Sequence, residues 1–420
     1  MSVAFDSNVT LTFEIAFDTD PLASSPSYTD ISAYVRGFYI RRGRINELGE
    51  FTAGTLSFDV SNADNRFNPT QTTYYYDSGT GKIKIQPLKK VRVSATYDST
   101  TYRLFTGYLD QIPVRYVADG SDSIVTFTAV DAFRIFNNQT LQSVGWKIGT
   151  SGFSEMGSST RLGYVDSQEL TSVRVGRILD AFGFPSADRN IDVATKQIQV
   201  QPITTNILTG LKECETVENG QFFMGGNGNA IFRNRAYKYT NTKAINVQAT
   251  FDNSGSNLPY ENVSTSFDNN EVINNYTWTR SGGAVQSVAD ADSVSSYTVL
   301  NSTKTTLNIN DSDVLSIIQE KLAETALPIL RIDKLVVKPR QDTSIWPKAL
   351  GLEIGDRVKI NITNPDSSVF TDEVFLESIN HTVNASNQSW EWSATLSPAG
   401  SSAWVIGQAK IGEGTRFAYS

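Results

Sequence analysis

His381 is the single histidine in 420 residues, so any chemistry that needs an imidazole must run through it. It lies in residues 374–383, which read as a strand, and is either an ordinary strand histidine or the base of a Ser-His-Asp arrangement. One histidine excludes a His-rich metal site. Cys214, the single cysteine, falls in a helical pattern and reads as a small buried hydrophobe, not a nucleophile. The run Gly225-Gly226-Asn227-Gly228-Asn229 sits between two β-like runs, which makes it a hairpin turn; a phosphate cradle would follow a strand and open a helix. Asp290 and Asp292 are spaced like the opening of a calcium loop, but the glycine and terminal glutamate of such a loop are missing, leaving a solvated loop. Acid pairs such as Glu213 with Glu215 or Asp268 with Glu271 have the residue type needed for sugar hydrolysis, yet spacing singles out none of them. The compact basic feature is Arg41-Arg42-Gly43-Arg44. It reads as a turn, either solvated or offering arginines to an acidic neighbouring subunit.

The elements around these residues are mostly strands. Val9, Leu11, Phe13, Ile15 and Phe17 alternate with Thr10, Thr12, Glu14 and Ala16, which places the large side chains on one face. Phe38 with Ile40, and Leu56 with Phe58 and Val60, form two half-buried strands flanking the basic turn, and the Asn/Asp/Pro cluster of 61–69 ends the second. The same alternation recurs at Val91, Val93, Ala95 and Tyr97 and at Val125, Phe127 and Ala129. Helical spacing is confined to a few places. Val175, Ile178, Leu179 and Phe182 form a stripe that stops at Gly183 and Pro185. Ile207, Leu208, Leu211 and Cys214 form another, capped by Asn206. A third helix over 312–326, capped by Asp311 or Ser312 and stopped by Pro328, should pack on a sheet. Further strands are expected at 332–337, 357–362, 374–383 and 390–396. The fold class is therefore mainly β with a few helices, a β-rich α+β chain of several domains built on antiparallel sandwiches or barrels.

Composition narrows the function classes. A chain of this length holds two to four domains, about one per 100–200 residues, and needs no disulfides. The formal charge of −8 and pI near 5.0 oppose binding of nucleic acid by phosphate neutralisation; an acidic wall would instead repel a duplex in transit. Nothing at the start reads as a secretion signal, and no apolar stretch is long enough to cross a bilayer. No cofactor is implied. Aromatic residues make up 11% of the chain and include Tyr74-Tyr75-Tyr76, which leaves a carbohydrate-binding surface conceivable.

Blocks of residues in order then carry a resemblance. They are 34–69; Glu215-Thr216-Val217-Glu218-Asn219-Gly220-Gln221-Phe222-Phe223 with the glycine run and 230–235 after it; Leu352-Glu353-Ile354-Gly355-Asp356-Arg357-Val358-Lys359-Ile360; 374–381; 390–398; and an arm near Gly414-Thr415-Arg416. Together they resemble the minor tail proteins, or baseplate hubs, of long-tailed bacteriophages. Residues 142–169 and 282–302 match no pattern. The resemblance implies a structural virion protein, not an enzyme, assembled in the host cytoplasm and placed at the tail tip. It implies two tube-like β domains, at 1–136 and 261–400, separated by a lateral helix-containing segment with a β-hairpin at 137–260 and followed by a docking arm at 401–420. Three copies would form a ring continuing the tail tube, meeting a distal tail protein, the tape-measure protein and a receptor-binding fibre, with DNA passing through the lumen. Candidate inter-subunit contacts are Arg41, Arg42, Arg44, Trp404, Ile406 and Phe417. The alternatives are a receptor- or carbohydrate-binding tail adhesin and a tail-associated cell-wall hydrolase.

Overall fold

The computed structural model describes residues 4–6, 9–116, 123–139, 168–200, 206–384 and 387–399. The first sheet is made of β1 (Val9–Ile15), β2 (Val35–Gly43), β3 (Thr52–Ser61), β4 (Lys90–Tyr97), β5 (Thr100–Gln111) and β6 (Ser123–Val130). Their antiparallel order is β1-β4-β5-β6-β3-β2. The alternation of large apolar residues explains the roll of this sheet, because each strand sends one face inward. Phe13 meets Phe38 at 5.2 Å and Phe58 at 5.3 Å, and Phe58 stacks on Phe127 at 5.2 Å. The sheet thus folds over its own aromatic core without closing into a barrel among the described residues.

A helical layer follows: α1 (Phe133–Asn138), α2 (Thr171–Phe182), β7 (Arg189–Ile191), α3 (Ile207–Glu218), β8 (Gln221–Met224) and β9 (Ala230–Arg233). Gly183 ends α2 in the left-handed region at φ 79°, where a glycine carries no Cβ penalty. Asn206 caps α3 by accepting from the Thr209 N–H at 2.8 Å. Cys214 is fully buried in α3, and β8 and β9 form the expected hairpin across the glycine run.

The second sheet contains β10 (Ala249–Asp252) and β11 (Asn262–Ser266), then, after an inserted unit, five more strands. The inserted unit is β12 (Asn275–Arg280), β13 (Val285–Ala289), α4 (Ala291–Tyr297), β14 (Asn301–Thr306) and α5 (Asp311–Thr325). Residues 282–302, which matched no pattern, are part of this unit. Asp290 there is a helix cap rather than part of a solvated loop, accepting from the Ser293 N–H at 2.8 Å. The expected cap of α5 is also corrected. Asn310 precedes the helix without a side-chain cap bond, and Asp311 lies in the first turn, held by Arg280 at 2.6 Å. Tyr276, Trp278, Val314, Ile317 and Ile318 form a separate small core.

The remaining elements are β15 (Arg331–Val337), α6 (Trp346–Gly351), β16 (Arg357–Thr363), β17 (Val369–Leu376), β18 (Ser378–Asn384) and β19 (Ser389–Pro398). The strand expected at 374–383 is two strands, broken at Glu377, because its first half pairs with β16 and its second half with β2. That second pairing joins the two sheets edge to edge. Gly43 closes the joint: its φ is +107°, and a Cβ there would lie 2.2 Å from the Glu377 carbonyl oxygen. Gly43→Ala should lower the unfolding free energy by more than about 1 kcal/mol, as read by urea denaturation; an unchanged midpoint would remove this constraint.

Candidate functional site

The seam between the sheets is where the polar residues singled out in the sequence converge. Arg41 and Arg42 lie within β2 and Arg44 just after it, so the basic run is not a turn. Strand alternation sends Arg41 out to solvent and Arg42 inward. Arg42 Nη1 donates to Glu353 Oε1 at 2.8 Å, and Glu353 also accepts from the Gly226 N–H at 3.4 Å. Arg44 Nε donates to Glu377 Oε2 at 2.5 Å, and Ser397 Oγ donates to Glu377 Oε1 at 2.5 Å. Beneath Arg44 lies the Phe51 ring, 4.6 Å from the guanidinium carbon, and Phe51 stacks on Phe223 at 5.0 Å. Of the three arginines expected to meet another subunit, Arg42 and Arg44 are therefore engaged inside the chain. The sequence blocks around residues 42, 226, 353 and 377 are neighbours in space.

Electrostatics at the seam favour ionised carboxylates. Burial opposes charge on both Glu353 and Glu377, but the adjacent arginine and the hydrogen bonds outweigh it and hold each carboxyl below its usual range. His381 is treated oppositely. It lies in β18, buried, with Trp390 Nε1 donating to its Nδ1 at 3.3 Å. Burial, aided by the positive charge of Arg42, pushes its pKa down to about 3, so the ring is a neutral acceptor. It is a strand histidine with a packing role.

Other candidate chemistry disperses. Asp268 and Glu271 both pair with Arg331, at 3.1 and 3.2 Å. Glu215 pairs with Lys212 at 2.7 Å and accepts from the Phe222 N–H at 2.9 Å. Burial pushes the Cys214 thiol up, away from the reactive thiolate. Among the described residues no group of three or more His, Cys, Asp and Glu could hold a metal ion, and no helix is long and apolar enough to cross a membrane. In the tyrosine run Tyr75 stacks on Phe17 at 4.3 Å, and the exposed Tyr74 lies under Arg66 at 4.7 Å.

A polar hollow of about 80 Å³ lies between the 44–48 loop, residues 234–238 and the end of α5. Arg44, Arg235, Lys238 and Lys321 line it together with Glu47, Glu320 and Glu324. Burial pushes the Glu47 carboxyl up to about 7. Trp404, Ile406 and Phe417 lie outside the described residues.

No protein-family model and no curated protein sequence matches the chain. Solved structures do. The tail protein from Neisseria meningitidis MC58 superposes with a TM-score of 0.55 at 9% identity, over 93% of this chain and 96% of that one. The 43 kDa tail protein of prophage MuSo2 from Shewanella oneidensis does so with a TM-score of 0.52 at 14% identity, over 93% and 98%. The fold is that of phage tail proteins. The likeness extends over 93% of this chain in both comparisons. The Arg42–Glu353 and Arg44–Glu377 pairs tie its two sheets together.

Proposed function

We propose that this chain is a structural protomer of a phage tail tip, a baseplate hub in which three copies form a ring continuing the tail tube. The single observation that carries the reading is the match to two tail proteins over more than nine-tenths of each chain. In this reading the parts at 1–136 and 261–400 line the ring, 137–260 faces outward, and the arm at 401–420 reaches neighbouring proteins. A distal tail protein, the tape-measure protein and a receptor-binding fibre are the proposed neighbours, and the net charge of −8 suits a lumen that lets DNA slide. Arg41, exposed on β2, remains a proposed contact between copies, as do Trp404, Ile406 and Phe417. Electron cryomicroscopy of the assembled tail tip tests the reading. Three copies around an axial channel support it; copies at the periphery, or on a fibre, shift the function to an adhesin.

The arm gives a second test. Combined Trp404→Ala and Phe417→Ala substitution should cut the yield of complete tails at least about tenfold, since aromatic anchors dominate interface energy. Plaque counts and negative-stain micrographs of tails would show it, and wild-type infectivity would remove the arm from assembly.

A further inference from the structure

Phe267, Leu327, Ile329 and Leu330 are exposed large apolar residues, at 69, 50, 43 and 46% of full exposure. They lie on the two links that join the inserted unit to the second sheet. Ser266 of β11 faces Arg331 of β15 in antiparallel register, so Phe267 and Leu330 are next in line at the same corner. Beside them β11 is an outer strand whose only partner among the described residues is β15. Its sequence Asn262-Val263-Ser264-Thr265-Ser266 contains no charge. Outer strands are commonly guarded by short length, a bulge, charge, proline or a covering segment; this one is five residues long with a register shift between Ser264 and Thr265, and it has neither charge nor proline.

The chain itself leads to that corner. β19 runs antiparallel to β15, with Thr395 opposite Lys334, so it leaves the sheet at the end where β15 begins. Ala399 is still held, its N–H donating to the Glu373 carbonyl at 2.9 Å. Residues 400–409 then read Gly-Ser-Ser-Ala-Trp-Val-Ile-Gly-Gln-Ala, again without charge. The five residues from 399 to 404 reach about 17 Å when extended; where β19 pairs with β15, at 392–395, β11 lies two strand spacings away, about 10 Å, and residues 396–398 then pair with β17 instead.

We propose that residues 404–406 of the same chain seat on the corner formed by Phe267, Leu327, Ile329 and Leu330 and cover the free edge of β11. The match is one of chemistry and reach: an aromatic and two β-branched residues, in an uncharged stretch, meet an uncharged strand edge next to apolar side chains. In a ring the same contact is open to exchange between copies, as in domain swapping. That last clause alone rests on the hub reading.

The test uses the purified full-length chain with a photo-reactive phenylalanine analogue in place of Trp404 and mass-spectrometric mapping of the crosslinks. Crosslinks to 262–267 and 327–330 are expected, within one chain or, where copies exchange arms, between two; crosslinks confined to other surfaces would overturn the proposal. Full-length chain carrying Trp404→Asp and Ile406→Asp provides the second readout. Amide exchange in β11 should accelerate at least about tenfold while β4 and β5 keep their rates; unchanged exchange in β11 would also overturn it. A preserved crosslink together with copies placed at the periphery of the assembled tail tip would sink the hub reading and leave this contact standing.

Discussion

Glu377→Ala lowers the unfolding free energy by about 3–5 kcal/mol, the cost of removing one member of a buried ion pair and stranding the other. Arg44 and Glu377 expose only 10% and 3% of their side chains. Without the carboxylate, the guanidinium stays buried over Phe51 with only the Glu47 and Gly49 carbonyls as acceptors. Ser397 loses its partner as well. The break between β17 and β18 falls at Glu377, so the strain lands where one strand passes between two sheets. Chemical denaturation at pH 7 reads the effect, and Glu377→Gln should recover part of the loss by keeping the hydrogen bonds. The pair also carries a pH dependence. A carboxyl held below its unfolded value contributes stability above that unfolded pKa and loses it as pH falls through the folded one. The difference between wild type and Glu377→Gln should therefore shrink below about pH 4.3, the ordinary glutamate value. A Glu377→Ala protein within 1 kcal/mol of wild type at about pH 7 would show that the seam does not depend on this pair.

Acidification should expose the second large effect, at His381. The folded protein holds the ring neutral down to about pH 3, while the unfolded chain takes up a proton near its ordinary pKa of about 6.5. The unfolded state thus binds more protons between these values, so stability attributable to His381 falls as pH drops through that window and is unaffected above it. At about 1.4 kcal/mol per unit, the loss reaches about 3 kcal/mol by about pH 4.5. His381→Asn keeps an acceptor for Trp390 and removes the titration. The comparison must be a difference between the two proteins, because burial pushes the Asp131 and Glu47 carboxyls up to about 7 and these acids act with the opposite sign over the same range. Denaturation curves at closely spaced pH values should show His381→Asn losing less stability than wild type as pH falls. Parallel curves would mean that the ring protonates in the folded state near its ordinary pKa.

Much of the architecture is written in short-range patterns. The alternation of Val9, Leu11, Phe13 and Ile15 becomes the buried face of β1, because a strand places every second side chain on one side whatever lies opposite. Asn206 and Gly183 mark helix ends through backbone groups only a few residues away. The hairpin at 225–228 and the buried Cys214 were legible for the same reason. The family pattern was legible too, since it is a linear order of such blocks, and the tail-protein fold agrees with it.

The fates of Arg42 and Arg44 were not legible. Their partners Glu353 and Glu377 are 311 and 333 residues away, and a basic run beside a glycine looks the same in sequence whether solvent, another subunit or a distant glutamate receives it. The same holds for Trp346. It belongs to a helix of the second half, yet it packs at 4.9 Å on Trp390 in the core of the first sheet. The break at Glu377 and the unit built by residues 282–302 likewise emerged only in three dimensions. Period and cap are properties of a few neighbouring residues, so the chain can state them locally. Which edge meets which edge, and which charge finds which counter-charge, follows from how the two sheets come together, and that is set by the packing of the whole core at once.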